Sequence, residues 1–392
     1  MASPTPKGSV VSKPNLKQTP LTSWHAAHGG RMVEFAGYEM PVQYEGVLKE
    51  HAIVRQGVGL FDITHMGEIY VTGPEARAWI SSLITNSLKT AVPGKVFYTA
   101  MCREDGGVLD DMLVYCLEQE RWLIVCNAAN HAKITAWLRD KKPAAGVELE
   151  DRTDVTGLIA VQGPLSRTLV QRLGLLAGRA ADIEALDFYT AFTCEGPGGE
   201  WLVSRTGYTG EHGYELYLPA ADMPAVWEEL LAKGADLGVA PIGLAARDTL
   251  RFEVCYCLYG HELTEDISPL EAGIGWAVKM KKKGGFVGRE ALAAQKEQGV
   301  PRKLVCLELD GKGIARQDAR VLADGRDVGF VTSGTHSPTL KKALALALVA
   351  ADAPTENLAV DVRGREIPCH VVAFPFLSAR TKGDPQAERS LS

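Results

Sequence analysis

The pattern of apolar and polar positions divides the chain into a long mixed region and a shorter region made of strands. In the mixed region, residues 68–72 alternate at period two and end at a Gly-Pro pair, and residues 75–83 then carry helical spacing. Residues 108–117 and 122–126 are predicted to pair as strands across a polar turn, and a helix is predicted over 130–141. Because strands and helices follow one another without a regular strand–helix–strand rhythm, the pattern predicts an α+β fold.

A second set of elements follows, and a tract of strands closes the chain. The second set comprises a strand over 158–162, a helix over 164–173, strands over 201–205 and 214–218, and a helix over 223–234. Beyond a Lys- and Gly-rich tract, apolar runs are separated only by turns, at 303–309, 320–322, 327–332, 344–349, 358–362 and 367–372. Such a series predicts a small antiparallel β-barrel.

These patterns place a domain boundary near residue 290. We expect an α+β region over 19–289, a barrel domain over 290–382, and tails at 1–18 and 383–392. The first 18 residues are rich in Ser, Pro and Lys and have no apolar core, which excludes a secretory signal and predicts a disordered tail. Because they also lack the arginines of a mitochondrial transit peptide, a bacterial cytoplasmic protein is expected, with the mitochondrial matrix as the alternative.

Composition narrows the class of protein. With 392 residues, 46% of them hydrophobic and 23% charged, the chain has enough material for two or three packed units. No apolar run approaches the roughly 20 residues that a membrane-spanning helix needs. The formal net charge of −6 argues against a nucleic-acid partner. A local basic run remains at Lys279, Lys281, Lys282 and Lys283, which is either a solvated loop or a docking surface for an acidic partner or a polyanionic ligand tail.

The cysteines point to a reducing compartment. The chain has eight, and none forms a Cys-x-x-Cys pair or stands at metal-finger spacing from His. Most lie in apolar runs, where a thiol behaves as a small hydrophobic group. The closest pair, Cys255 and Cys257, is predicted to pack within a strand. No Gly-x-Gly-x-x-Gly follows a strand and no phosphate-binding P-loop motif is present.

The first candidate for chemistry is an acidic pair that opens an apolar strand, Asp110 and Asp111. Because side chains alternate along a strand, the two carboxylates must point to opposite faces. One of them therefore faces a core or a cavity, where it needs a polar partner. The alternative is that the acidic pair caps a turn. Strand parity alone does not show which of the two carboxylates faces a core or a cavity.

A Gly-rich turn at 207–215 is the second candidate. Its three glycines are spaced by three and are accompanied by Tyr208, Glu211 and Glu215. A carboxylate beyond such a turn is well suited to pair with an amide-like N–H edge, as in a pterin ring. A Gly-rich hairpin with polar surface residues is the alternative.

The third candidate is a predicted helix over 243–253. Arg247 and Arg251 stand four residues apart on one face, and two guanidinium groups on a face suit a carboxylate ligand. The alternative is a surface network of ion pairs with Asp248 and Glu253. His65, in a turn after an apolar run, is either a base or a structural residue.

These segments, taken in order, closely resemble the T-protein family of folate-dependent aminomethyltransferases. The resemblance is carried by Gly-Gly-Val-Leu-Asp-Asp at 106–111, by Gly-Tyr-Thr-Gly-Glu at 207–211, and by matching stretches at 19–21, 28–37, 40–44, 60–66, 160–164, 245–253, 258–260 and 332–339. It covers nearly all of the chain between the two tails. The resemblance implies a three-lobed, cloverleaf-like fold around a central folate channel, with the first two lobes interleaved before about residue 290.

The resemblance also implies the site. The catalytic aspartate of the family matches Asp111. The residues expected to contact or line the folate site are Tyr98, Tyr208, Glu215, Arg247, Met66, Asn127 and Trp276, with Arg380 as a loose match in a poorly aligned region.

The reaction implied by the resemblance starts from an aminomethyl group on the dihydrolipoyl arm of a lipoylated H-protein. Tetrahydrofolate accepts the methylene, ammonia leaves, and 5,10-methylene-tetrahydrofolate forms, without a metal. Two other classes share the fold: folate-dependent demethylases of a sulfonium or a methylated glycine, and non-enzymatic folate-binding assembly factors for iron–sulfur proteins. The second class is expected to carry a Lys-Gly-Cys type motif, which this sequence lacks.

Overall fold

A computed structural model describes residues 16–382 of the chain. The tails predicted at 1–18 and 383–392 therefore lie almost entirely outside the described residues. Lys17, inside the first predicted tail, is already paired, since its N–H donates to the Gly37 carbonyl at 2.9 Å and its carbonyl accepts the Glu39 N–H at 2.9 Å. Over the described residues, no helix combines the length and the apolar character that crossing a membrane requires.

A five-stranded antiparallel sheet forms the first lobe. Its strands, in spatial order, are Val96–Cys102, Val108–Glu118, Arg121–Cys126, Gly67–Thr72 and Glu148–Asp151. The helices Ala76–Leu83 and His131–Lys141 cover one face, because their apolar side chains pack with those of alternate strand positions in one core. The other face packs against the second lobe.

A six-stranded sheet forms the second lobe and is built from separated pieces of the chain. Its strands, in spatial order, are Ala191–Gly196, Gly199–Ser204, Gly213–Pro219, Thr156–Gln162, Gly59–Asp62 and Ala240–Pro241. Only the last pair is parallel. Because Gly59–Asp62 precedes the whole first lobe in sequence, the chain enters the second lobe, builds the first lobe and then returns to the second. Helices pack on the outer face, at Ser166–Gln171, Ala180–Ala185 and Met223–Lys233.

The third lobe is a closed antiparallel barrel, as predicted. Its strands, in spatial order, are Arg302–Leu309, Ala343–Ala350, Arg326–His336, Arg320–Ala323, Leu358–Asp361 and Glu366–Val372. Alternate positions of each strand fill one apolar interior, and the outward positions of Ala343–Ala350 are apolar as well and pack against neighbouring elements. The helix Arg289–Gln298 precedes the barrel, so the predicted boundary near 290 falls at the start of this helix.

The remaining elements join the lobes. They are the hairpin Arg31–Phe35 and Tyr38–Gln43, the helices Thr22–Ala27, Val47–Gln56 and Leu244–Glu253, and short 3₁₀ turns at Ala128–Asn130, Thr153–Val155, Gly174–Arg179, Ala220–Asp222, Ala235–Leu237 and Gly275–Ala277. The helix Leu244–Glu253 begins against a buried carboxylate, since Glu50 accepts the Gly243 N–H at 2.7 Å. A negative charge at this end complements the positive N-terminal end of the helix dipole.

One local prediction was wrong, and one of two open alternatives does not hold for a single lysine. Cys255 and Cys257 do not lie in a strand: they follow the end of the helix Leu244–Glu253, and Cys255 has a positive φ of 54°. Both are nonetheless buried, as expected of apolar thiols. In the basic run, Lys282 is not solvated, because its Nζ donates to the carbonyls of Ser81, Ile84 and Asn86, and burial lowers its pKa to about 7.

Candidate active site

One cavity of about 350 Å³ lies where the lobes meet. Its wall takes residues from both sheets, from the helix Leu244–Glu253 and from the segments 254–259 and 272–276, and Phe374 contributes a ring from beyond the barrel strands. Eight of the nine residues expected from the resemblance line this cavity: Met66, Tyr98, Asp111, Asn127, Tyr208, Glu215, Arg247 and Trp276. Residues that are far apart in sequence thus converge on one site, and only Arg380 does not.

The acidic pair is divided between core and cavity, as strand parity required. Asp110 is fully buried and Asp111 faces the cavity. Asn127 connects them, because its Nδ2 lies 2.8 Å from Asp110 Oδ1 and 3.0 Å from Asp111 Oδ1. The pair does not cap the turn that precedes it, since Asp105 does so by accepting the Gly107 N–H at 3.1 Å.

Hydrogen bonds fix the orientation of both carboxylates. Asp111 Oδ2 accepts the Tyr98 hydroxyl at 3.0 Å. Asp110 accepts the backbone N–H of Asn127 at 2.9 Å and the amide of Asn130 at 2.6 Å. Burial raises the pKa of both carboxyls; the neighbouring Asp111 charge raises that of Asp110 further, and the Tyr98 and Asn127 donors hold the pKa of Asp111 down. Of the two carboxylates, Asp111 is the one that lines the cavity, with its two donors in place.

Aromatic rings form the wall beside Asp111. Tyr98 stacks on Trp276 with ring centroids 5.4 Å apart and an interplanar angle of 24°. The Trp276 side chain is 57% exposed, so this pair stands at the rim of the cavity. A flat aromatic part of a ligand would find a matching surface here.

A second polar group of the cavity contains Glu215, Arg247 and Tyr208. The Arg247 guanidinium carbon lies 4.8 Å from the centroid of the Tyr208 ring. Burial raises the pKa of Glu215, while the Thr206 hydroxyl and the Arg247 charge lower it. Arg247 Nη1 is a buried donor with no hydrogen-bond partner in the described residues. Burying a charged donor without a hydrogen-bond partner costs free energy, unless a bound ligand accepts a hydrogen bond from it.

Close packing explains the glycines of the turn at 207–215. Gln162 donates to the Thr206 and Tyr214 carbonyls and accepts the Thr209 hydroxyl at 2.9 Å, so its amide occupies the inside of the turn. A Cβ at Gly207 would lie 2.1 Å from Gln162 Oε1. A side chain at that position would therefore displace the amide that shapes the turn.

Arg251 does not join Arg247 in the cavity, which corrects the predicted pair of guanidinium groups. Its side chain is 1% exposed and donates to Glu262 at 2.9 Å, to Asp248 at 2.8 Å and to the Ser333 hydroxyl at 2.9 Å. Arg251 therefore connects the helix to the barrel, as a buried ion pair rather than a ligand contact. The surface network proposed as the alternative is also wrong, because this cluster is mostly buried.

Arg380 and Glu211 form another internal contact. Arg380 Nη2 lies 2.7 Å from Glu211 Oε1, and Glu211 is also 2.9 Å from Arg55 Nη1. These charges attach the segment after the barrel to the helix Val47–Gln56. Arg380 lies outside the lining of the cavity, and its expected ligand contact stays a prediction.

Sequence reasoning left open or missed several wall residues. His65 lines the cavity with Nδ1 buried and unpartnered in the described residues, and burial together with the Arg247 charge lowers its pKa. The His65 imidazole is therefore neutral, and it is a poor candidate for a positively charged group of the site. Tyr189 was missed: it has φ of 65°, and its backbone bridges the lobes, because its N–H donates to Arg205 O and its carbonyl accepts the Val96 N–H, both at 3.0 Å. No sequence signal marks such a residue.

The side chains that could bind a metal are scattered over the described residues. Within 16–382, no three side chains among His, Cys, Asp and Glu stand together in a way that could hold a metal ion. The polar and aromatic groups that line the cavity are its carboxylates, its arginine and its aromatic rings.

Comparison with known proteins identifies the family. Residues 21–282 match the family model described as the GCVT N-terminal domain, and residues 302–377 match the glycine cleavage T-protein C-terminal barrel domain. Curated aminomethyltransferases from Geobacillus kaustophilus and Desulforamulus reducens are 48% and 46% identical over 364 residues, covering 92% of this chain and 98% of each relative. The crystal structure of glycine cleavage system aminomethyltransferase T from Bartonella henselae matches with a TM-score of 0.85 at 32% identity, covering 94% of this chain and all of that one. The chain therefore belongs to the aminomethyltransferase family of glycine cleavage T-proteins.

Proposed function

We propose that the cavity binds tetrahydrofolate, the co-substrate of this family, with the pterin ring at Glu215 and Arg247 and the reacting nitrogen at Asp111. The observation that carries this proposal is the unpartnered, buried Nη1 of Arg247 near the Glu215 carboxylate. A pterin offers both a carbonyl that accepts from a guanidinium and N–H groups that donate to a carboxylate. An apolar ligand would leave both charges uncompensated.

The role proposed for Asp111 is to hold a negative charge beside the folate nitrogen that attacks the aminomethyl carbon. Two donors, Tyr98 and Asn127, orient the carboxylate before the substrate arrives. A preorganised anion stabilises the positive charge that develops on that nitrogen and can accept its proton. Positioning of the two reacting atoms supplies the rest of the rate enhancement.

The donor of the aminomethyl group is proposed to be the dihydrolipoyl arm of a lipoylated H-protein. The cavity wall is mostly apolar beyond the two polar groups, and it is built by the proposed 19–289 region with Phe374 added from the proposed 290–382 domain. An enclosed, apolar wall would protect the one-carbon unit from water, so that it is passed on rather than lost as formaldehyde. No metal is proposed to take part.

The test is the complete reaction. Purified protein, aminomethyl-loaded H-protein and tetrahydrofolate are expected to yield ammonia and 5,10-methylene-tetrahydrofolate in equal amounts, and omission of tetrahydrofolate should abolish methylene transfer. Turnover of a sulfonium or a methylated glycine, without turnover of the loaded H-protein, would instead assign the chain to the demethylases. Folate binding without turnover of either would favour an assembly role.

A further inference from the structure

We propose that a cluster of buried hydroxyl groups behind the cavity holds the Glu215 carboxylate ionised and directed at the pterin edge, with Thr206 as the positioning residue, an inference that rests on the proposed function. Glu215 Oε2 accepts the Thr206 hydroxyl and, at a longer distance of 3.4 Å, the Tyr217 hydroxyl. Arg247 acts on Glu215 through its charge and forms no ion pair with it in the described residues. The Thr206 hydroxyl is therefore the main hydrogen-bond donor to this carboxylate.

The strand register of the second lobe brings the hydroxyl cluster together. Ser204 lies directly opposite Glu215 in the antiparallel ladder, and its hydroxyl is 2.6 Å from that of Thr206. Because side chains alternate along a strand, Tyr217, two residues beyond Glu215, points to the same face of the sheet. Tyr115 reaches the cluster from the first lobe, with its hydroxyl 2.8 Å from that of Tyr217. The cluster thus lies inside the apolar core that joins the two sheets.

The protons of the cluster have a direction. A hydroxyl has one proton to donate, and an ionised carboxylate only accepts. Because Thr206 donates its proton to Glu215, the hydrogen bond between the other two hydroxyls of this series runs from Ser204 to Thr206. Hydrogen bonds in such a series polarise one another. The four hydroxyl-bearing residues are at most 2% exposed, so bulk water does not compete for these protons.

Burial alone would favour the protonated form of Glu215. Burial raises the pKa of this carboxyl, whereas the Thr206 hydroxyl, the Arg247 charge and the Tyr217 hydroxyl lower it. A protonated carboxyl has lost the charge that strengthens its hydrogen bonds with N–H donors. The hydroxyl cluster therefore helps to decide whether Glu215 meets the N–H edge of the pterin as an anion.

Other charged and titratable groups surround Glu215, and none of them depends on Thr206. Arg247 remains protonated. The neighbouring phenols stay neutral because burial raises their pKa, at Tyr115, Tyr189 and Tyr217. Asp111 and His65 share the cavity, but burial and groups outside the cluster set the pKa of each. A change at Thr206 therefore acts on the protonation of Glu215.

The experiment measures the Kd of tetrahydrofolate by calorimetry as a function of pH, with the full chain. In the parent, affinity should fall as the pH drops through the raised pKa of Glu215, because the protonated carboxyl attracts the N–H edge less strongly. Thr206→Val removes the hydroxyl and keeps the shape of the side chain. The acid limb should then move to higher pH by about one unit, which is about a tenfold weaker Kd at a fixed pH on the limb. At higher pH the affinity should return to within a few-fold of the parent.

Three further variants separate the hydroxyl from the packing around it. Thr206→Ser keeps a hydroxyl and should retain the acid limb of the parent. Ser204→Ala should move the limb in the same direction as Thr206→Val but less, which keeps the inference testable if Thr206→Val does not fold. Thr209→Val is the matched control, because its hydroxyl lies in the same turn and donates to Gln162 at 2.9 Å. This control can lower Tm and should not move the limb.

The possible outcomes separate the inference from the proposed function. An acid limb that stays in place in both Thr206→Val and Ser204→Ala, or a loss of affinity that is equal at every pH, overturns the role of the cluster while the proposed function stands. An equal movement in Thr209→Val overturns it too, because packing of the turn would then be the cause. Absence of tetrahydrofolate binding in the parent overturns the proposed function itself.

Discussion

The Asn127→Ala substitution isolates the electrostatic role of the residue that connects the two carboxylates. Its side chain donates one hydrogen bond to Asp110 and one to Asp111, at 2.8 Å and 3.0 Å. The substitution removes both, while the backbone N–H of residue 127 still donates to Asp110 and the Tyr98 hydroxyl still donates to Asp111. The carboxylate of Asp111 therefore keeps its place in the strand and loses one of its two side-chain donors.

The size of the effect follows from this lost donor. A hydrogen bond to a charged group contributes about 1.5–3 kcal/mol, and one pKa unit corresponds to about 1.4 kcal/mol. The pKa of Asp111, which burial already raises, is thus expected to rise by a further one to two units, roughly. Because turnover requires the ionised carboxylate, activity is lost as the pH falls through this raised pKa.

The assay is the pH dependence of turnover with loaded H-protein and tetrahydrofolate. In Asn127→Ala, the acid limb should move to higher pH by about one to two units, with turnover recovering at high pH. Asn130→Ala is the matched control, since Asn130 donates at 2.6 Å to Asp110 alone. In that variant Asp110 is protonated more readily, so the acid limb should not move upward. An acid limb that stays in place in Asn127→Ala, or an equal loss of turnover at every pH, would refute this reasoning.

Other substitutions test the remaining roles. Arg247→Met should weaken tetrahydrofolate binding by about tenfold or more with little change in Tm, because it removes a charged donor that only a ligand completes; an unchanged Kd would contradict this role. Arg251→Met should instead lower the free energy of unfolding by about 3–5 kcal/mol in urea titrations, because it leaves the buried Glu262 carboxylate unpaired; parent stability would exclude the buried ion pair. Burial raises the pKa of Glu68, whose oxygens have no partner in the described residues. Glu68→Gln should therefore gain stability over the parent as the pH rises above the ordinary carboxyl pKa, by up to about 1.4 kcal/mol per unit, and equal stability at pH 5 and 7.5 would contradict this. Trp276→Ala should raise the Kd for tetrahydrofolate several-fold while Tm stays within about 2 °C, since the side chain is mostly exposed; parent affinity would remove it from the site.

Much of the fold could be predicted because local patterns and tertiary structure agree. The barrel strands are apolar runs separated by turns, since alternate positions of each strand fill the interior, and each predicted strand overlaps an observed one. The opposite orientation of Asp110 and Asp111 followed from strand parity alone. Parity does not say which side of a strand faces a cavity, so the choice of Asp111 depended on the family resemblance.

What could not be predicted depends on contacts between residues far apart in sequence. Helical spacing places Arg247 and Arg251 on one face, but Glu262 and Ser333, which bind Arg251, lie beyond the helix. In the same way, Lys282 is buried because its ammonium group donates to three backbone carbonyls, although the other lysines of the run are exposed. These contacts form only when the chain has folded, so the local sequence pattern around each residue does not indicate them.

The role of Asp111 at the reacting centre can be measured with the Asp111→Asn variant. The substitution keeps the shape of the side chain and removes its negative charge. Single-turnover measurements with loaded H-protein are expected to show methylene transfer slowed by at least about a hundredfold, with a Kd for tetrahydrofolate within a few-fold of the parent. Transfer at the parent rate, or a comparable loss found in Asp110→Asn and not in Asp111→Asn, would contradict the account.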